Sequence, residues 1–298
     1  MGKNIGKMKT FRAKEPVKSE PQYSEFVRSL VPTLSLREKI GQMTQLDVST
    51  LLNQTDLNNG IVSLNETALE YGIKNYGIGS YLNSPFAGGK VGSKSGFTVS
   101  EWIDFITQLK TLAKEFSNSS LPIIYGLDSV HGANYVYGAT MFPHNIGCAA
   151  TFDPELVANG SGTIGAKDTR LAGISWQFSP VIGIGVNPLW SRFYETFGED
   201  PYVASQFGSA IVSNIENNQL NSQQHCSSCC KHFFGYPDPK SGKDRTDAWI
   251  GQRQLLEYFL PPFEDTLPLS SSVMINSGSI NEIPVHSSKE YLTHFLRE

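Results

Sequence analysis

The sequence predicts an α/β fold in which short buried strands alternate with helices and form a parallel barrel. Several apolar segments lack strict alternation with polar residues, which is typical of strands buried on both faces. Helix-start signals and apolar positions at helical spacing separate these segments. Polar side chains follow or interrupt several of the apolar segments, as expected at the carboxyl edge of a barrel, where such folds carry their sites.

The helices are predicted from their first turns. In a capping box, a Ser or Thr side chain and a Glu three residues later bond each other's backbone N–H groups. Three such pairs precede apolar runs: Ser35 with Glu38, Thr98 with Glu101, and Ser287 with Glu290. The apolar residues between Trp102 and Phe116 fall on one helical face. Another helix is expected after Asp200, because Pro201 fits the first helical position.

Six apolar segments are predicted as strands. They are residues 77–82, 122–128, 146–150, 174–182, 229–236 and 272–280. We therefore expect a barrel domain over residues 34–298, preceded by a basic and disordered segment over residues 1–33. No internal repeat of about 20–50 residues is visible.

Composition and charge exclude some classes of partner. A net charge of −4 argues against nucleic acid, which needs a basic face. No run of about 18 apolar residues occurs, so no membrane span is expected. The first residues have no apolar stretch typical of a signal peptide, which predicts a cytoplasmic protein. Glycosylation sequons at Asn53, Asn65, Asn118 and Asn159 instead favour a lysosomal or secreted protein, if the true start lies further upstream.

The cysteines allow two interpretations. Cys226, Cys229 and Cys230 lie beside His225 and His232 in HCSSCCKHF, a spacing that resembles half of a metal site. A structural zinc site usually takes its ligands from two separated pairs, whereas here they share one short apolar segment. Buried structural thiols are therefore favoured, and neither a metal nor a cofactor is predicted.

A dinucleotide-binding fold is the competing parallel architecture. Such a fold needs a G-x-G-x-x-G turn directly after its first strand, at the start of a helix. The glycine-rich region around residues 183–185 comes late in the chain and is followed by Val186, Asn187 and Pro188, which begin no helix. The barrel is therefore the better prediction.

Four polar residues are candidates for a site. Asp128 ends one predicted strand, Arg192 follows another, and Lys231 with His232 interrupts a third. Each has a structural alternative: Asp128 as a helix cap, Arg192 as the partner of Glu195 or Glu199, and the Lys–His pair as surface charges. The pair is the hardest to explain in that way, because burying an unpaired ammonium is costly. Together the four groups suit a polyhydroxylated ligand, since each sugar hydroxyl both donates and accepts.

Three stretches resemble glycoside hydrolase family 3, the β-glucosidase group. They are LPIIYGLDSVHGANYVYGATMFPHNIGCAATFDPEL, FSPVIGIGVNPLWSRFYETFGEDPYVAS and KHFFGYPDPKSGKDRTDAW, and the likeness extends from about Leu34 to the end. The resemblance implies an eight-stranded barrel followed by a second domain, and a retaining mechanism with a carboxylate nucleophile and a carboxylic acid. By our count six of the eight strands fall within this chain.

The resemblance also implies roles for individual residues. Asp128, Arg192, Lys231 and His232 resemble the groups that bind the terminal glucose, and none resembles the nucleophile or the acid. Both catalytic carboxylates are therefore expected beyond Glu298, the last residue of the sequence. The predicted substrate is a β-glucoside or short oligosaccharide.

Two alternatives remain. One is a non-catalytic sugar-binding protein that keeps the glucose site. The other is catalysis by a different carboxylate, such as Glu282. The N-acetylhexosaminidase branch of the family is disfavoured, because residues 234–249 contain no histidine.

Overall fold

The computed structural model describes residues 25–117, 121–216 and 226–297. Within them, six parallel strands form one curled sheet, an incomplete barrel with helices around it. The strands are β1 Gln45–Asp47, β2 Ser80–Leu82, β3 Ile124–Leu127, β4 Trp176–Gln177, β5 Ser227–Phe233 and β6 Ser272–Ile275. Each strand pairs with the next along the chain, so the sheet order follows the sequence. The predicted barrel class is confirmed.

Two further short strands form an antiparallel hairpin after β6. They are β7 Ser279–Ile280 and β8 Ile283–Pro284. Beyond β4 the chain stays extended beside β5, where the backbone N–H of Ile182 donates to the carbonyl of Lys231 at 2.8 Å.

The helices surround the sheet. They are α1 Glu25–Leu30, α2 Leu36–Gln42, α3 Gln54–Asn58, α4 Glu66–Tyr76, α5 Val99–Phe116, α6 Asn145–Ala149, α7 Pro154–Val157, α8 Gly165–Leu171, α9 Pro201–Glu216, α10 Gln252–Gln254 and α11 Pro261–Thr266. Wider π-helical turns occupy Ala158–Ile164, Leu255–Phe259 and Glu290–Phe295. None of the described helices has both the length and the apolar character needed to cross a bilayer.

Capping explains where several helices begin. The capping boxes at Ser35 and Thr98 are present as predicted. Asp200 accepts a hydrogen bond from the backbone N–H of Tyr202 at the start of α9. The predicted box at Ser287 is wrong by one residue, because Ser288 caps the last helical segment by accepting from the N–H of Tyr291.

The strand predictions need two corrections. The predicted strand over residues 146–150 is wrong, because this apolar segment belongs to α6 and its end and is a short buried helix. Conversely the sequence does not predict β1, because three residues with an Asp and a Gln give no apolar run. The sheet has six strands, as the sequence predicts, but β1 stands in place of the strand wrongly predicted over residues 146–150.

Residues 25–33 are the described part of the predicted N-terminal segment. They form α1 and a following 3-10 turn at Val31–Thr33, with no buried side chain. Residues 1–24 lie outside the described residues, so the boundary at residue 33 stays a prediction.

The core consists of two apolar clusters on either side of β4. One packs α4 and α5 against β2 and β3, with Trp102 and Leu109 fully buried. The other packs α9 and α11 against β5, with Phe207 and Phe263 buried between them. Both clusters support the central strands, whose carboxyl ends carry the predicted site residues.

Candidate sugar-binding site

The four predicted site residues lie together at the carboxyl edge of the sheet. Asp128 directly follows β3, Arg192 lies between β4 and α9, and Lys231 and His232 lie in the last part of β5. Because β3, β4 and β5 are parallel neighbours, residues that follow their carboxyl ends meet at one edge. The fold therefore brings together residues that are far apart in the sequence, such as Asp128 and His232, which are 104 positions apart.

Lys231 is buried and paired with Asp128. Its side chain is only 3% exposed, and its ammonium donates to Oδ1 of Asp128. The Asp128 side chain is 37% exposed, and among the described residues only its Oδ1 accepts a hydrogen bond. The pair therefore neutralises a buried charge while one carboxylate oxygen remains available to a ligand.

Arg192 is held by Glu195. Nε and one terminal nitrogen of the guanidinium each donate to a carboxylate oxygen at 2.7 Å. Burial favours a lower pKa for Arg192, but the hydrogen bonds and charge of Glu195 outweigh this effect and raise its pKa. The structural partner that the sequence suggested for Arg192 is thus present, and it fixes a charged guanidinium in a bidentate geometry.

Two aromatic rings lie beside the Arg192 guanidinium. The centroids of Trp190 and Tyr236 are 5.9 Å and 5.6 Å from its central carbon. The indole N–H of Trp190 and the hydroxyl of Tyr236 both donate to Oδ1 of Asp244, at 2.9 Å and 2.7 Å. Sequence reasoning missed Trp190, Tyr236 and Asp244, because no local spacing signals a contact between residues 190 and 244.

Among the described residues, one ring nitrogen of His232 has no hydrogen-bond partner. Its Nε2 lies 3.4 Å from a terminal nitrogen of Arg192, which can only donate, so Nε2 carries a lone pair and the ring proton lies on Nδ1. That Nδ1 is buried and has no hydrogen-bond partner within the described residues. Burial, and then the charges of Lys231, Arg192 and Arg245, hold the pKa of His232 well below its usual value. The ring is therefore neutral and offers one donor to a ligand oxygen.

The arrangement offers acceptors and donors side by side. Asp128 presents a carboxylate oxygen, His232 an N–H, and Arg192 a fixed cation. Hydroxyl groups can satisfy all three, because each both donates and accepts. A phosphate would be repelled by Asp128, so a neutral polyhydroxylated ligand fits best.

The catalytic carboxylates expected beyond Glu298 have no counterpart among the four site residues. Asp128 is engaged by Lys231, and Arg192, Lys231 and His232 carry no carboxylate. Glu298 itself lies outside the described residues, so where the catalytic carboxylates lie stays a prediction. Glu282, the alternative carboxylate, is exposed in the β7–β8 turn, and its backbone N–H donates to Asp247 at 2.9 Å.

The cysteines on β5 and just before it are buried thiols, as predicted. Cys226, Cys229 and Cys230 are free and buried. Burial raises the pKa of both Cys226 and Cys230 to about 12. They therefore stay protonated at neutral pH and belong to the apolar core. His225 lies outside the described residues.

Comparison with known proteins places the chain in a family. Residues 35–298 match the sequence profile of the "Glycosyl hydrolase family 3 N terminal domain". The chain belongs to glycosyl hydrolase family 3. A curated relative, "Lysosomal beta glucosidase" of Dictyostelium discoideum, is 51% identical over 279 residues, which cover 91% of this chain.

Solved structures agree with the family 3 assignment. An exo-1,3/1,4-beta-glucanase from a Pseudoalteromonas species superposes with a TM-score of 0.76 at 26% identity, covering 91% of this chain. A beta-glucosidase from Listeria innocua, solved in complex with isofagomine, has a TM-score of 0.73 at 22% identity over 92% of the chain, and shows the shared fold. The chain spans 33% of the Dictyostelium protein, and 32% and 35% of the two solved chains.

Proposed function

We propose that this chain carries the glucose-binding part of a retaining β-glucosidase, which releases terminal β-D-glucosyl residues. One observation supports this most strongly: the buried Lys231 of β5 pairs with Asp128, which follows β3, beside Arg192 and His232. These are the residues that resemble the glucose-binding groups of family 3, and the Dictyostelium relative is named a beta glucosidase.

In this proposal the four residues bind and orient the sugar but do not cut it. Asp128 accepts hydrogen bonds from sugar hydroxyls, while His232 Nδ1 and Arg192 donate to them. A retaining mechanism needs a nucleophile and an acid on opposite sides of the glycosidic bond. From the resemblance we expect both beyond Glu298, so this part of the site supplies binding energy that orients the reacting carbon.

The test is sugar binding by the 298-residue chain and a matched pair of variants. Isofagomine and glucose are titrated calorimetrically into the chain, D128N and D104N. Asp104 is an exposed acid on α5, one of the helices outside the sheet, so D104N controls for the same chemical change. A hydrogen bond to a charged group contributes about 1.5–3 kcal/mol, so we expect D128N to bind about 10–100-fold more weakly.

Two results would contradict the proposal. The first is a binding result: sugar affinity that is equal in D128N and D104N, or no binding by the unmodified chain and both variants although circular dichroism shows that they are folded. The other is release of nitrophenol from an aryl β-glucoside by the 298-residue chain, which would mean that the catalytic carboxylates lie inside it. Protein from the natural source that binds glucose without hydrolysing glucosides would instead support a non-catalytic sugar-binding protein.

We also propose a lysosomal or secreted location. The Dictyostelium relative is named lysosomal. The sequon residues Asn53 and Asn65 cap α3 and α4 by accepting backbone hydrogen bonds with their side chains, and both are partly exposed. The sequon at Asn118 lies outside the described residues. N-glycosidase treatment of the natural protein should lower its mass, whereas an unchanged mass and a cytosolic distribution would contradict this location.

A further inference from the structure

A pair of histidines lies in the loop that begins at Asp128. His131 Nε2 and His144 Nδ1 are 3.1 Å apart, and the rings meet edge to face with centroids 4.4 Å apart. His144 is exposed just before α6, and His131 is half-buried. The Tyr194 ring also packs against His144, with centroids 4.5 Å apart. Neither histidine belongs to the four residues assigned to sugar binding.

The spacing of the two nitrogens suits a shared metal ion. Imidazole nitrogens bind zinc at about 2.0–2.1 Å, so two of them on one tetrahedral or square-planar ion stand about 2.9–3.4 Å apart. The observed 3.1 Å lies inside this interval. Because the two nitrogens already face each other through one hydrogen bond, at least one of them carries a lone pair. The donor ring can move its proton to its other nitrogen and free the second lone pair.

The exposure of His144 lets a metal ion reach the histidine pair from solvent. The exposed His144 can rotate to direct its lone pair, while His131 is held more firmly by its surroundings. Within the described residues no group of three or more His, Cys, Asp or Glu side chains forms a metal site, so water must complete the coordination. Two imidazoles with water ligands bind copper(II) most tightly among the first-row divalent ions, and more tightly than zinc.

We propose that His131 and His144 form a two-imidazole site for a divalent transition-metal ion, with Cu²⁺ preferred over Zn²⁺. Within the described residues, neither histidine hydrogen-bonds Asp128, Arg192, Lys231 or His232 through its side chain, so the two sites share no ligand. The ion binds through coordinate bonds alone, and no electron transfer or bond cleavage is involved.

The experiment titrates CuCl₂, and separately ZnCl₂, into the 298-residue chain in a buffer that does not bind metals. Calorimetry measures affinity, and the electron paramagnetic resonance spectrum of Cu²⁺ reports how many nitrogens coordinate. The variants are H131Q and H144Q, with H286Q as the matched control because His286 is an exposed histidine elsewhere. Circular dichroism checks that every variant is folded.

We expect one site with two imidazole nitrogens in the unmodified chain and in H286Q. H131Q and H144Q should each bind Cu²⁺ at least about tenfold more weakly, with one coordinated imidazole lost from the spectrum. Folded H144Q that binds Cu²⁺ as tightly as H286Q would overturn the proposal. A spectrum unchanged in both H131Q and H144Q would also overturn it, because the ion would then be bound elsewhere.

Discussion

Replacing Asp128 by alanine is expected to lower the free energy of unfolding by about 3–5 kcal/mol, the usual cost of breaking a buried ion pair. Lys231 is 3% exposed, so in D128A its ammonium remains in the protein interior without a counter-ion. Most of this loss of stability comes from the unpaired ammonium of Lys231, since the Asp128 side chain is itself 37% exposed. Urea unfolding followed by circular dichroism measures the change.

The double variant D128A/K231M separates the effect of the unpaired Lys231 ammonium from the other effects of removing the Asp128 side chain. Methionine keeps much of the lysine volume and removes the ammonium, so the double variant should be more stable than D128A. D104A is the matched control for loss of an exposed aspartate and should stay within about 0.5 kcal/mol of the unmodified chain. If D128A/K231M is no more stable than D128A, the buried ammonium is not the cause of the destabilisation.

Replacing Gly41 by alanine is expected to destabilise the fold by about 3 kcal/mol or more, toward the upper end of overpacking effects. A Cβ at this position of α2 would stand 2.2 Å from the carbonyl oxygen of Tyr76 and 2.3 Å from that of Gly77. Both are backbone atoms at the end of α4, and the N–H of Gly79 bonds the Gly41 carbonyl at 2.9 Å. The backbones must therefore separate, and thermal unfolding should show a lower midpoint.

Gly147 provides the matched control for Gly41. Gly147 also lies within a short helix, but the contact that a Cβ there would make among the described residues is with Pro143, at an ordinary 3.7 Å. Alanine is favoured over glycine in a helix interior by about 0.5–1 kcal/mol, so G147A should be neutral or slightly stabilising. Equal losses in G41A and G147A would show that the close approach of α2 to α4 does not determine the effect.

The sequence predicts well the parts of the molecule that depend on neighbouring residues. The capping boxes at Ser35 and Thr98 are local hydrogen-bond patterns, and both predictions are confirmed. The strand predicted over residues 146–150 is wrong because a short apolar run fits a buried helix as well as a strand. For the last cap, Ser287 and Glu290 have the spacing of a capping box, but the helical segment begins one residue later and Ser288 accepts from the N–H of Tyr291.

Some residues of the candidate site can likewise be predicted from the sequence, whereas the contacts between them cannot. Lys231 and His232 stand out in the sequence because charged groups on a buried strand require partners. The sequence does not identify Asp128 as the partner of Lys231, because β4 separates β3 from β5 and the two residues meet only through the topology of the sheet. The contacts of Asp244 with Trp190 and Tyr236 are equally inaccessible, since they join two loops that meet only in the fold.

The fixed position of Arg192 has a consequence for affinity. A free arginine loses rotational freedom when a ligand orders it, which costs about 0.5–1.5 kcal/mol for a long side chain. Here Glu195 and two aromatic rings restrict the guanidinium in the unliganded protein. The entropy loss therefore occurs during folding, so a small ligand with few contacts retains more of its interaction energy as net binding.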